Sequence, residues 1–147
     1  MDKNIKNALV KAVCKTFQEL SFIDVVETNQ SNDKLIFNQI LYIEIIEPEE
    51  MRIFLYLPLR LKEMIAENVY CKSLKNLKYT EIDDCQLEIL NVITGNFLSN
   101  LYHEKKNYKF ELPRILFDDK NLHFPRLKKN ELFFDAEDII FKIDFYN

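Results

Sequence analysis

Glycine is almost absent from this sequence of 147 residues, which contains a single Gly at position 95. P-loops and dinucleotide-binding loops need several glycines at fixed spacing, so the sequence excludes both kinds of nucleotide site. Turns that require a positive φ must use Asn or Asp instead, and both residues are plentiful. The position of the one glycine is therefore informative.

Cysteine and histidine are also scarce. The sequence has an odd number of cysteines, Cys14, Cys71 and Cys85, and no Cys-x-x-Cys pair. This pattern favours three reduced and mostly buried thiols over a disulfide framework or a zinc site. His103 and His123 are isolated in the sequence, which favours surface or packing roles over metal binding.

An excess of positive charge and a long hydrophobic run are both missing. Lys and Arg number 20 against 24 Asp and Glu, which gives a net charge of −4 and does not favour a nucleic-acid-binding protein. No apolar stretch approaches the roughly 20 residues of a membrane span, and the amino terminus has no apolar signal core. We therefore expect a cytoplasmic protein with neither nucleic acid nor a membrane as a partner. Its length and its apolar content of 48% predict one globular domain over residues 1–147.

Three segments have the apolar spacing of three and four residues that is typical of helices. The first covers residues 3–20. The second begins at Pro58 and covers residues 58–70, with a predicted buried stripe formed by Leu61, Met64, Ile65 and Val69. The third begins near the sequence Thr80-Glu81-Ile82-Asp83, which resembles a capping box, and runs to about Tyr102.

Segments rich in Ile, Phe and Tyr, several of them alternating, predict the strands. Residues 35–46 and 51–57 form a predicted antiparallel hairpin around Glu47-Pro48-Glu49-Glu50, after a polar loop at residues 27–34. Further strands are predicted at residues 108–112, 115–117, 131–135 and 139–146. The last strand is apolar on one face and would promote aggregation as an exposed edge unless another strand pairs with it. The order of the elements predicts an α+β fold in which helices pack on an antiparallel β-sheet.

The predicted third helix carries one informative pattern, in which Asp84, Glu88, Asn91 and Gly95 are spaced by four, three and four residues. At about 100° per residue, these four positions fall within about 60° of one another on a helical wheel. The predicted buried residues lie on the opposite side of the helix: Ile82, Ile89 and Ile93. The four residues, called the stripe below, therefore point to solvent.

The composition of the stripe is unusual for a helix interior. Exposed acidic and amide residues serve solubility alone in most helices, so spacing by itself is weak evidence for catalysis. Asn and Gly are both unfavourable inside a helix, however, and Gly costs about 1 kcal/mol relative to Ala. The placement of the single glycine in the stripe indicates that another surface approaches the helix closely there.

The segment from Asp84 to Asn96 resembles the phosphatase motif of the CheC/CheX/FliY family of bacterial chemotaxis proteins. That motif is an Asp or Ser, a Glu four residues later, an Asn three residues further on, and then a Gly-Asn pair. The resemblance extends to Thr16-Phe17, to Leu57-Pro58 and to Phe110-Glu111-Leu112-Pro113. Because the chain has one copy of the motif, it is most similar to CheX; CheC typically has two copies.

This resemblance implies a CheC/CheX-like fold and an activity in two-component signalling. The family hydrolyses the aspartyl phosphate of a response regulator, which is CheY in chemotaxis. The phosphoryl group and its Mg²⁺ belong to the regulator, so the resemblance implies no cofactor of the chain's own. It also implies a homodimer that is joined through sheet edges.

The resemblance further implies roles for individual residues. Asn91 is expected to orient the attacking water, because an amide both donates and accepts hydrogen bonds. Glu88 is expected to pair with the active-site Lys of the regulator, with Asp84 as a weaker supporting contact. Further contacts with the partner are expected at Thr94, Gly95 and Leu98.

Two other interpretations remain open from the sequence. The chain could be a non-catalytic CheX-like module that docks a response regulator or a flagellar switch component, or a scaffold protein with a solvated helix. The presence of both Glu88 and Asn91 favours the phosphatase, because a docking surface alone would not require the amide. Cys85 faces away from the stripe and no His accompanies it, so a Cys-His catalytic pair is not indicated.

Overall fold

The computed structural model describes residues 1–31, 37–103 and 107–147. Within these residues the chain forms three α-helices, a short 3₁₀ turn at Leu74–Asn76 and seven β-strands. The helices are α1 (Lys3–Ser21), α2 (Leu59–Tyr70) and α3 (Tyr79–Tyr102). The strands are β1 (Val25–Thr28), β2 (Ile40–Glu47), β3 (Met51–Tyr56), β4 (Lys109–Phe110), β5 (Arg114–Leu116), β6 (Lys129–Ala136) and β7 (Ile139–Tyr146).

The three predicted helices are confirmed to within one or two residues at each end. Asp2 caps α1, since its carboxylate accepts a hydrogen bond from the Asn4 N–H at 2.8 Å. The start of α3 differs in detail from the prediction, because Lys78 rather than Thr80 precedes the helix. The predicted capping box with Thr80 as the cap and Asp83 as its partner is therefore wrong, and instead the Glu81 carboxylate accepts a hydrogen bond from the Lys78 N–H at 2.8 Å.

The strands form one sheet with the order β1-β6-β7-β3-β2-β4, and β5 also pairs with β2. All pairings are antiparallel, and the predicted β2–β3 hairpin is confirmed with Ile43 opposite Ile53. The fold is therefore α+β with three helices on an antiparallel sheet, as predicted. The predicted polar loop at residues 27–34 and the first residues of the strand predicted at 35–46 lie partly outside the described residues.

One strand prediction is wrong: Glu27, predicted to lie in a loop, belongs to β1, which pairs with the last residues of β6. The terminal strand β7 is paired on both sides, by β6 and β3, so it is not an exposed edge. Among the described residues, the edges of the sheet are β1 on one side and the short strands β4 and β5 on the other.

The main core lies between the helices and one face of the sheet. Phe97 of α3 packs edge-on against Phe145 of β7, with ring centroids 5.5 Å apart, and Phe17 of α1 stacks on Phe141 at 5.1 Å. These pairs anchor two helices directly to the central strand. The opposite face of the sheet carries a smaller buried cluster of Ile40, Tyr42, Phe54 and Tyr56.

Candidate functional site

The stripe lies on a helix that is held in place from several directions. Its apolar side is buried, with Ile89 and Ile93 at or below 1% exposure. Amide side chains add hydrogen bonds to α1 and α2: Asn96 Nδ2 to Thr16 Oγ1, Asn100 Nδ2 to the Ala8 carbonyl, and Gln86 Nε2 to the Lys62 carbonyl. The position of α3 is thus fixed by packing and by hydrogen bonds, and its free side keeps a constant orientation.

The structure places the predicted stripe on that free side. Asp84 and Glu88 are exposed, and Asn91 and Gly95 are half-buried. Side chains three or four residues apart on a helix have Cβ atoms about 5–6 Å apart, so each stripe residue adjoins the next. The prediction of a solvent-facing stripe is confirmed for Asp84 and Glu88 and met in part by Asn91 and Gly95.

A shallow groove of about 260 Å³ brings part of the stripe together with the segment between β4 and β5. We call it the Leu112 groove; it is lined by Asp84, Leu87, Glu88, Asn91, Leu112 and Pro113. Its volume is below the roughly 300–1,000 Å³ that is typical of small-molecule pockets. A surface of this shape is better suited to a macromolecule that brings the reacting group with it.

The charge in the Leu112 groove is negative. Asp84 and Glu88 contribute two carboxylates, and among the described residues that line the groove none is Lys, Arg or His. A free phosphate would be repelled here, whereas an ammonium group of a partner would be attracted. The groove therefore suits a cationic group next to the reacting centre.

The described residues give no structural reason for a glycine at position 95. Among them, apart from the adjacent residues and the local backbone of α3, a Cβ atom built at this position meets no heavy atom within 4 Å. The backbone is ordinary helix, and Gly95 is absent from the positions with a positive φ. The glycine is therefore needed neither for packing nor for backbone conformation in the folded chain.

Two of the predicted partner contacts are not on the surface. Thr94 and Leu98 are both 0% exposed. The Thr94 hydroxyl donates to the Leu90 carbonyl at 2.9 Å, and Leu98 belongs to the main core. The expectation that these side chains contact a partner is corrected, because both are buried within the chain.

The cysteines do not form a reactive centre. Burial raises the pKa of the Cys85 thiol to about 11, and the nearby Glu88 carboxylate adds to the shift. The thiol is therefore protonated at neutral pH and is a poor nucleophile. Of the three thiols that were expected to be mostly buried, Cys85 is buried, Cys14 is half-buried and Cys71 is exposed.

Sequence reasoning missed the apolar residues beside the stripe. Leu112 is 79% exposed at the rim of the Leu112 groove. Val69, which was predicted to be buried, is 38% exposed. It lines a second groove of about 360 Å³, called the Tyr70 groove, together with Leu20, Tyr70, Asp84, Cys85, Glu88 and Ile89. The sequence offers no signal for this arrangement, because it depends on how α1, α2 and the β4–β5 segment pack around α3.

Neither a metal cluster nor a membrane helix is found in the part of the chain that the structure describes. Over residues 1–31, 37–103 and 107–147, no three His, Cys, Asp or Glu residues are grouped so that they could hold a metal ion. In the same ranges, no helix combines the length and the apolar character that a membrane span needs.

Comparisons with known proteins identify the fold. No protein-family model matches the sequence, and no curated protein matches it. The structure is similar to the chemotaxis protein CheX from Desulfovibrio desulfuricans, with a TM-score of 0.79 at 12% identity over 97% of this chain and 99% of that one. CheX from Vibrio vulnificus gives a TM-score of 0.79 at 13% identity over 97% of both chains.

A third similar structure comes from a complex. A chain of the CheX–CheY–BeF₃–Mg²⁺ complex from Borrelia burgdorferi gives a TM-score of 0.69 at 12% identity, over 99% of this chain and 98% of that one. At these identities the similarity establishes the fold and its nearly complete coverage of both chains. This chain has the fold of the CheC/CheX/FliY chemotaxis proteins and resembles CheX most.

Proposed function

We propose that this protein is a phosphatase that hydrolyses the aspartyl phosphate of a CheY-type response regulator. One observation carries the proposal: Glu88 and Asn91 line the same shallow groove on the exposed side of an anchored helix. The motif of the CheC/CheX/FliY phosphatases has a Glu and an Asn at this spacing. The CheX–CheY complex among the similar structures supports a receiver domain as the partner.

The reaction is the transfer of a phosphoryl group to water. The water oxygen forms a bond to phosphorus while the bond from phosphorus to the aspartyl oxygen breaks. The products are a free carboxylate on the regulator and inorganic phosphate, and the two water protons leave to the phosphate and to solvent. Such a transfer needs little covalent help from the protein and depends on positioning and charge stabilisation.

Asn91 is suited to position the water. Its amide oxygen accepts a hydrogen bond from the water and its amide nitrogen donates one, so together they fix the water in line with the breaking bond. The amide does not titrate, which means that Asn91 orients the water without removing its proton. Because α3 is anchored, the side chain meets the reacting centre in a defined geometry.

Glu88 is suited to fix the docking register. Its exposed carboxylate lies one turn before Asn91 and would pair with the active-site Lys of the regulator. Asp84, one turn earlier again, adds negative charge to the same groove. The Mg²⁺ that accompanies the phosphoryl group belongs to the regulator, so this chain supplies the water-orienting amide and the carboxylates.

The test is the loss of label from a phosphorylated receiver domain. The CheY-type regulator of the same organism would be phosphorylated with ³²P and followed alone, with wild type, and with the variants Asn91→Ala and Glu88→Ala. We expect wild type to accelerate the decay, Asn91→Ala to lose the acceleration while it still binds, and Glu88→Ala to lose turnover and binding together. Asn7→Ala, an exposed Asn of α1 outside the Leu112 groove, is the control and should match wild type.

Each result has a clear meaning. Normal turnover by Asn91→Ala would refute the role of Asn91. Binding of the receiver by wild type without faster decay would replace the phosphatase with a non-catalytic docking module. The absence of both binding and acceleration across a panel of receivers would refute the proposed function.

A further inference from the structure

An exposed apolar side chain lies at the rim of the proposed catalytic groove. Leu112 lies between β4 and β5 and lines the Leu112 groove with Glu88 and Asn91. At 79% exposure it contributes little to the core of the chain. Its apolar surface is therefore available to a partner that covers the groove.

The backbone around Leu112 is held in place. The N–H of Glu111 donates to the Glu44 carbonyl of β2 at 2.8 Å. On the other side, β5 begins at Arg114 and pairs with β2 opposite Tyr42. Pro113 fixes its own φ between these two attachments. Leu112 is thus presented from a segment that is tied to the sheet on both sides.

A second apolar wall stands on the other side of the carboxylates. The Tyr70 groove contains Leu20, Val69 and Tyr70, and it shares Asp84 and Glu88 with the Leu112 groove. Partial burial raises the pKa of Tyr70, with Cys85 and Asp84 as further causes, so its hydroxyl is uncharged at neutral pH. The two carboxylates therefore lie between two uncharged, largely apolar surfaces.

We propose that Leu112 on one side and Val69 with Tyr70 on the other dock the receiver domain around its phosphorylation site, and that Leu112 contributes more to the affinity than Val69. This inference rests on the proposed function, since the phosphorylated receiver is the occupant. The walls are continuous with the stripe, and the carboxylates between them complement a lysine. Binding energy at an interface is concentrated in a few side chains that docking removes from water.

The share assigned to Leu112 follows from exposure. Leu112 has 79% of its surface free, whereas Val69 has 38% free. The larger apolar area removed from water on docking belongs to Leu112, and its removal should cost more affinity. Neither side chain carries a group that could act on the phosphoryl group or on water. Both are therefore docking residues, and the rate of the chemical step should not depend on them.

The experiment compares Leu112→Ser and Val69→Ser with the control Leu59→Ser. Leu59 is 55% exposed at the start of α2 and is not among the described residues that line either groove. Binding to a receiver domain activated with BeF₃ and Mg²⁺ gives the dissociation constant, and ³²P decay under single-turnover conditions separates affinity from chemistry. Thermal unfolding checks that each variant is folded.

We expect Leu112→Ser to weaken binding about tenfold or more and Val69→Ser about threefold, with the maximal rate changed less than about twofold. Leu59→Ser should match wild type. Unchanged binding by both groove variants, or a lower maximal rate at unchanged affinity, would overturn the inference while the phosphatase stands. If wild type binds the receiver, Leu112→Ser weakens that binding and wild type does not accelerate the loss of label, the docking surface is supported and the phosphatase activity is refuted. If wild type does not bind any receiver, both fail.

Discussion

The most informative single substitution is Gly95→Ala, because the fold and the proposed docking predict opposite effects. Apart from the adjacent residues and the local backbone of α3, a Cβ at this position meets no heavy atom of the described residues within 4 Å, so alanine adds no clash with them. Alanine is favoured over glycine in a helix interior by about 1 kcal/mol. We therefore expect Gly95→Ala to increase the free energy of unfolding by about 1 kcal/mol, which raises the melting temperature by roughly 2–4 °C for a chain of this size.

The same methyl group should hinder a partner that packs closely against α3. Adding a methyl group to a well-packed contact typically costs about 1–3 kcal/mol, which is at least a fivefold change in the dissociation constant. The assay pairs urea unfolding of the free protein with binding to a receiver domain activated with BeF₃ and Mg²⁺. Asn7→Ala serves as the control, since it removes an Asn from the exposed side of α1 and leaves α3 unchanged.

Two results would refute this reasoning separately. A destabilised Gly95→Ala protein would mean that the chain itself needs the glycine, contrary to the open space around it. A stabilised protein with unchanged receiver binding would mean that no partner approaches the backbone of α3 at Gly95. In that case the docking contacts would be limited to the amino-terminal half of the stripe and its apolar walls.

Two further predictions concern groups outside the proposed chemistry. The exposed Cys71 should react promptly with a thiol reagent at pH 8, whereas Cys85 should react only when the chain unfolds, because burial raises its pKa to about 11. Mass spectrometry of the labelled peptides measures both reactions, and prompt labelling of Cys85 would contradict its burial. Lys62 is 2% exposed and burial lowers its pKa, although its ammonium donates to Gln39 Oε1 at 3.1 Å. At a pH between the lowered pKa and the ordinary value of 10.5, Lys62 is protonated in the unfolded chain and largely unprotonated in the folded one. The free energy of unfolding of wild type should therefore increase with pH across this range. Lys62→Met should therefore leave the free energy of unfolding at pH 7 unchanged or increase it by about 1 kcal/mol, and the difference from wild type should become smaller towards pH 10.5. A lower free energy of unfolding for Lys62→Met at pH 7 would contradict this prediction.

Elements with a strong local period were predictable from the sequence. The three helices follow from apolar residues at steps of three and four, and β7 follows from its alternation. In contrast, β1 has four residues and pairs with the far end of β6, where Val25 lies opposite Ala136. A segment that short is stabilised by a distant partner and gives little local signal.

The position of a strand in a sheet is also invisible to local patterns. The alternation of β7 predicts one buried face but does not say which strands lie beside it. Asp144 illustrates this limit, because its position on the polar face of β7 predicts exposure, yet it is 1% exposed. Its carboxylate is covered by Lys129 and Lys142, at 3.0 and 3.1 Å. These two lysines come from β6 and β7, so the burial of Asp144 arises from sheet pairing.

The candidate site also has one part that the sequence predicts and another part that depends on packing. Asp84, Glu88, Asn91 and Gly95 share a face because they belong to one helix, and that was predictable from spacing. Thr94, expected to contact the partner, adjoins Gly95 in sequence but is buried, since one residue along a helix turns the side chain by about 100°. Leu112 belongs to another element altogether, and only the packing of the β4–β5 segment beside α3 brings it to the groove.

The stripe and Leu112 belong to different elements of the fold, and this affects how the proposed phosphatase would work. Groups that position water must be held within about 0.5 Å, and the stripe meets that need because α3 is anchored by its buried side and by amide hydrogen bonds. Leu112 lies outside this helix, in the segment between the short strands β4 and β5. Because the water-orienting amide is on α3 and the apolar docking residue Leu112 is on the rim, partner preference can change with Leu112 while the water-orienting geometry stays the same. Effects on affinity from Leu112 and on turnover from Asn91 should therefore be separable in one kinetic experiment.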